Sequence, residues 1–179
     1  MNRSNAERKT AMPKSLRNLF LIFFTFTFAA TSALAQTDAE KAFTALKNLP
    51  GIWEGKASDG HTLKVSFKTV SGGSAVTSEI LGQGPDDMIS VFNMDGSNKL
   101  LMTHYCGVGN QPRMQATVSP DGKTITFTYV DATNLKMPDA GHMERMVLTL
   151  LDDNHHTEDW IFIDHGTELK QFFDLHRKI

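Results

Sequence analysis

From residue 52 to residue 177 the hydrophobic and polar positions alternate with a period of two, the signature of half-buried β-strands. The segment 61–70 shows it most clearly: Leu63, Val65 and Phe67 fall on one face, Lys64, Ser66 and Lys68 on the other. Turn residues interrupt the alternation at short intervals, at Ser58-Asp59-Gly60, Ser71-Gly72-Gly73, Asp95-Gly96, Pro120-Asp121-Gly122, Asp152-Asp153-Asn154 and His165-Gly166. The pattern predicts strands over 52–57, 61–70, 74–81, 88–94, 99–106, 113–118, 123–131, 142–151, 155–164 and 167–177, with longer connections at 82–87, 107–111 and 132–141. Ahead of them, Ala39, Ala42, Phe43, Ala45 and Leu46 keep a helical spacing over 37–48, with Asp38 at its start and Pro50-Gly51 ending it. No strand–helix–strand alternation is present, which disfavours a parallel sheet. The expected fold is all-β: a single antiparallel up-and-down β-barrel of about ten strands behind a short N-terminal helix, with closure removing the sheet edges.

The first 35 residues follow a different logic. Arg3, Arg8, Lys9, Lys14 and Arg17 precede an apolar run from Leu19 to Ala30, and Ala33-Leu34-Ala35 stands before Gln36. A basic region, an apolar stretch and an A-x-A site form a secretory signal peptide. The apolar run is shorter than the roughly 20 residues a membrane-spanning helix needs. Cleavage is expected near Ala35, leaving residues 36–179 as one domain, periplasmic or secreted from a bacterium, with no membrane span. No cysteine follows the cleavage site to accept a lipid, and no twin-arginine pair is present.

Cleavage would take away five of the 18 basic and one of the 20 acidic residues, leaving 13 against 19 and a formal charge of −6. That sign disfavours a nucleic-acid partner, whose phosphates call for a basic face. The single cysteine, Cys106, rules out an internal disulfide, so stability must come from the core. Nothing in the pattern sets an oligomeric state.

Two resemblances follow from particular residues. Gly51-Ile52-Trp53-Glu54-Gly55 opens the first strand directly after the helix, and the last strand ends on His176-Arg177. This arrangement resembles the calycin superfamily, which includes lipocalins, fatty-acid-binding proteins, avidins and the haem-binding nitrobindins. The resemblance implies that Trp53 plugs one end of a barrel and that Arg177 packs across the indole as a cation–π pair. It also implies a small, partly apolar ligand in the interior. More locally, Thr103-His104-Tyr105-Cys106 followed by Gly109-Asn110-Gln111-Pro112-Arg113-Met114 looks like the signature of an uncharacterised family of secreted bacterial proteins. That likeness implies export and a barrel, and no reaction.

The same segment holds the candidate chemistry. On a strand His104 shares a face with Leu100, Met102 and Cys106, while Tyr105 takes the other face with Thr103 and Leu101. Of Arg113 and Met114 only one can point inward. The candidate ligand-binding residues are His104, Tyr105, Cys106, Gln111, Arg113 and His142, with Arg113 available as a fork for an anionic head group. The alternative for Asn110, Gln111 and Arg113 is a structural corner that satisfies the backbone of the Gly107–Pro112 turn. An enzyme using His104 or His142 as acid or base, a haem- or metal-binding barrel, and a filled interaction module remain open. No metal-ligand spacing motif is present, so no metal site is assigned, and the cofactor is left unknown. The pair His155-His156 beside Asp152-Asp153-Asn154 reads as a solvated turn.

Overall fold

Ten alternating segments fold into a closed antiparallel barrel, each strand bonded to its sequence neighbours and the first bonded to the last. The computed structural model describes residues 35–82 and 87–179. The signal peptide expected over 1–35 therefore lies outside the described residues except for Ala35, as does most of the 82–87 connection. Helix α1 (Asp38–Leu46) is followed by β1 (Gly51–Ala57), β2 (Thr62–Val70), β3 (Ala75–Leu81), β4 (Met88–Asp95), β5 (Lys99–Tyr105), β6 (Gln111–Val118), β7 (Thr124–Thr133), β8 (His142–Asp152), β9 (His155–Asp164) and β10 (Thr167–Arg177). Among the described residues no helix is long and apolar enough to cross a membrane.

The residue that caps α1 is Thr37, and Asp38 is an acid of its first turn. Its hydroxyl accepts from the Glu40 amide, and the Glu40 carboxylate accepts from the Thr37 amide, a reciprocal capping box. The Thr37 hydroxyl also donates to the Ser97 carbonyl in the β4–β5 turn. Ala42, Phe43 and Leu46 bury the inner face of the helix, which packs on β4, β5 and β6 and covers one end of the barrel.

Trp53 completes that closed end. It is fully buried, and its indole N–H donates to the Leu49 carbonyl at 2.9 Å. The Arg177 guanidinium stands 4.3 Å from the indole ring centre. It also donates to the carbonyls of Asn48 (3.0 Å), Pro50 (2.8 Å) and Asp153 (3.1 Å). Register places Trp53 opposite Arg177 across the β1–β10 seam. The two glycines flanking the tryptophan have steric reasons. A Cβ on Gly55 would fall 1.7 Å from the Asp174 carbonyl oxygen, and Gly51 takes φ = 133° under the Arg177 side chain. Arg177→Ala is expected to lower the unfolding free energy by about 1–2 kcal/mol, the combined loss of a cation–π pair and hydrogen bonds at a partly exposed site. Urea denaturation checks it; an unchanged midpoint would show that the seam does not depend on this contact.

Above the plug the interior is packed. Phe67, Val76, Phe92, Met102, Met114, Ile125, Phe127, Met146 and Leu148 are all 0–1 % exposed. Bulky side chains on facing strands fill this half of the barrel, as dense interiors require. Toward the other end, where β4, β8 and β10 begin, smaller polar residues appear on the inner face, and there the packing opens.

Candidate functional site

Leu100, Met102 and His104 share one face of strand β5, as the alternation predicts, and that face is the inner one. His104 is fully buried. Its Nδ1 lies 3.0 Å from the hydroxyl of Ser90, its cross-strand partner on β4. Ser90 in turn faces Ser78 on β3. The His104 ring packs on Trp160 of β9, with centroids 5.0 Å apart. Its Nε2 is buried and has no hydrogen-bond partner among the described residues. The Ser90 hydroxyl can turn either way, so Nε2 is left as a donor or an acceptor according to the tautomer. Burial without a compensating charge lowers the His104 pKa to about 4, which keeps the ring neutral at neutral pH.

One layer nearer the opening lies a cavity of about 200 Å³ lined by Ile80, Met88, Met143, Trp160, Phe162, Leu169, Gln171 and Phe173. Ile80 and Met88 are cross-strand partners, directly beyond the Ser78–Ser90 pair. Phe162 pairs with Met143 and Leu169, and Gln171 pairs with Trp160, so the wall is continuous from β8 through β10. The cavity is apolar at its sides, has Gln171 among its lining, carries no cation, and borders a layer containing Ser78, Ser90 and His104.

The other candidates are distributed differently. Arg113 does not face the interior. Its neighbour Met114 takes the inner position and is fully buried, which turns Arg113 to the outer face. There it forms a two-point ion pair with Asp131, its register partner on β7. A register shift between Arg113 and Met114 leaves Val130 unpaired in β7, but the outward direction of Arg113 stands. The expectation of an Arg113 fork for an anionic head group is corrected accordingly. Tyr105 is half exposed on the outer face. Cys106 lies just past the end of β5, not on it, and burial pushes its thiol pKa up, away from a reactive thiolate.

Asn110 and Gln111 serve the corner. Asn110 is buried and donates to the Gly141 carbonyl at 2.7 Å, tying the β5–β6 connection to the segment before β8. Gln111 donates to the Gly109 carbonyl and accepts from Thr133. His142 lies by that corner, its Nδ1 2.8 Å from the Ala140 carbonyl and its Nε2 3.4 Å from Glu144. Its ring packs on Tyr129 at 4.5 Å. His104 and His142 thus have separate partners, and no hydrogen bond or ring contact joins them.

A second buried polar group was misread from the sequence. His156 is fully buried, not solvated, and so is Glu158. Strand β9 begins at His155, so His156, Glu158, Trp160 and Phe162 form its inner row. Glu158 accepts from the Trp160 indole N–H at 2.9 Å and lies 3.3 Å from His156 Nε2. The His156 ring stands edge-on to Trp53 at 4.3 Å and to Phe67 at 5.7 Å. The alternation that reveals this row was visible in the sequence but was masked by the adjacent acidic turn.

No family model matches the chain, and no curated protein matches it. The chain is similar to a redesigned β-barrel, with 15% identity over 75% of this chain and 96% of that one and a TM-score of 0.35. It is also similar to the crystal structure of Rv2717c from M. tuberculosis, with 16% identity over 77% of this chain and 98% of that one and a TM-score of 0.54, a likeness of fold alone.

Proposed function

We propose that this chain is an exported, calycin-like barrel that binds a small, partly apolar molecule at the open end of its interior. The apolar cavity bordering His104 carries this reading. Its volume of about 200 Å³ is below the roughly 300–1,000 Å³ of drug-sized sites and above the ~150 Å³ that accepts benzene. The matching ligand is a single ring or a short acyl chain. Its polar tip would be uncharged, because the lining offers no cation and the nearest titratable ring is held neutral. A hydroxyl or carbonyl reaching the Ser90–His104 layer would supply the partner that His104 Nε2 lacks.

The test is a titration of the protein, labelled at its methionine methyl groups, with straight-chain alcohols from butanol to decanol. Saturable shifts are expected at Met88 and Met143, with affinity rising with chain length until the chain outgrows the cavity. Met88→Trp should abolish them, and Arg113→Ala should leave them unchanged. Equal shifts at the packed Met102 and Met146, or no saturation, would overturn the proposal. Recovered from an exporting bacterium, the same protein should begin within a few residues of Gln36; an intact Met1 would remove the export part of the reading.

A further inference from the structure

The outer face of the barrel, at the end closed by Trp53, carries a cluster that the interior does not use. His155 opens β9, and its register partner on β10 is His176. Asp174 stands two residues before His176 and so shares its face. Their neighbours Phe173, Leu175 and His156 are buried inward, which turns all three of these side chains outward. The two imidazoles stack with centroids 4.0 Å apart and planes 20° apart. Both direct Nε2 at one carboxylate oxygen: His155 lies 2.7 Å and His176 3.6 Å from Asp174 Oδ1. One donor atom from each of the three residues lies within 4.8 Å of the others.

We propose that His155, Asp174 and His176 form a binding site for a divalent transition-metal ion of the zinc type. Two imidazole nitrogens and one carboxylate oxygen are donors that zinc accepts. Bonds of about 2.0–2.2 Å in tetrahedral geometry need donors roughly 3.3 Å apart; the 2.7 Å and 3.6 Å separations from Asp174 bracket that spacing. Adjacent strands fix the register of the donors, so little backbone order has to be gained on binding. The side chains retain 27 %, 49 % and 62 % exposure, which leaves room for water at the remaining position. The neighbouring carboxylate on β1, Glu54, is already engaged by Lys64 and Lys178 and does not compete for the ion. The ion would link β9 to β10 on the outer wall, at the end of the barrel opposite the apolar cavity, so the site stands whether or not the cavity binds a ligand.

The experiment is calorimetric titration of the purified protein with zinc chloride alone, together with the histidine ring proton spectrum. A stoichiometry of one, a micromolar Kd and perturbation confined to the His155 and His176 rings are expected. The unfolding midpoint should rise with zinc, because an ion that binds only the folded state stabilises it. Asp174→Asn and His176→Ala should each weaken binding by at least ~10-fold, since losing a direct ligand costs more than losing a supporting contact. Both positions face solvent, so an unchanged amide spectrum is expected; His155→Gln replaces either variant that fails this check. Unaltered affinity in these variants, perturbation of His61, His142 or His165 instead, or no stoichiometric binding would each overturn the assignment.

Discussion

Glu158→Ala is expected to destabilise the barrel by about 3–5 kcal/mol, although it removes only a short side chain. Glu158 sits on the inner row of β9 with no exposed surface. It is the acceptor for the Trp160 indole N–H and the neighbour of His156 Nε2. Alanine would leave both groups without a partner in a region closed to water, and each buried orphan costs about 1–3 kcal/mol. Glu158→Gln keeps a carbonyl acceptor for Trp160 and should cost clearly less. Urea denaturation of the three proteins, followed by far-UV circular dichroism, gives the comparison. Equal losses for Ala and Gln would show that the side chain matters for its volume and not for its oxygens.

The second large effect depends on pH. Burial holds the His104 pKa near 4, below its ordinary 6.5, so the folded barrel resists a proton that the unfolded chain accepts. At and above neutral pH both states are neutral at this position, and nothing is lost. As pH falls through 6.5 the unfolded state gains the proton first, and stability drops until the folded ring is protonated too, near pH 4. The full loss over that window is about 3 kcal/mol, from roughly 1.4 kcal/mol per pKa unit. His104→Gln keeps a polar group beside Ser90 but does not titrate there. The difference in unfolding free energy between the two proteins, followed from pH 7 to pH 4, isolates His104 from the carboxylates that titrate in both. Parallel curves would mean that His104 is not held neutral by burial.

The barrel was legible because each strand announced itself twice, by alternation and by the turn that followed it. The same rule put His104 on one face with Leu100 and Met102, and the burial of that row in the structure turns the face inward. The rule failed where two readings were equal: Arg113 and Met114 are neighbours, and charge chemistry favoured Arg113 while packing favoured Met114. Packing decided it, since Asp131 was available outside to receive the guanidinium. His156 was misplaced because the acidic turn before it suggested solvent, whereas one residue marks the boundary between turn and inner row. The Trp53–Arg177 contact was anticipated through a resemblance, and its other partners, three backbone carbonyls, carry no sequence signal. The cavity could not be read in advance, because its walls use the same Met, Phe and Ile residues that fill the packed half.

The β1–β10 seam also bears on the order in which the molecule can be assembled. Every other strand pair joins near neighbours in the chain, but Trp53 meets Arg177 only at the far end of it. Bringing such distant residues together carries the largest loop-closure entropy in the sheet. Hairpins can zip one after another along the chain, yet the circle stays open, with both edge strands bare, until the last strand is in place. Closure is then a late event, and it brings β10 so near β1 that only glycine fits at position 55. Truncation ahead of Phe173 would therefore leave two unpaired sheet edges, the form of this chain most prone to pair with another copy.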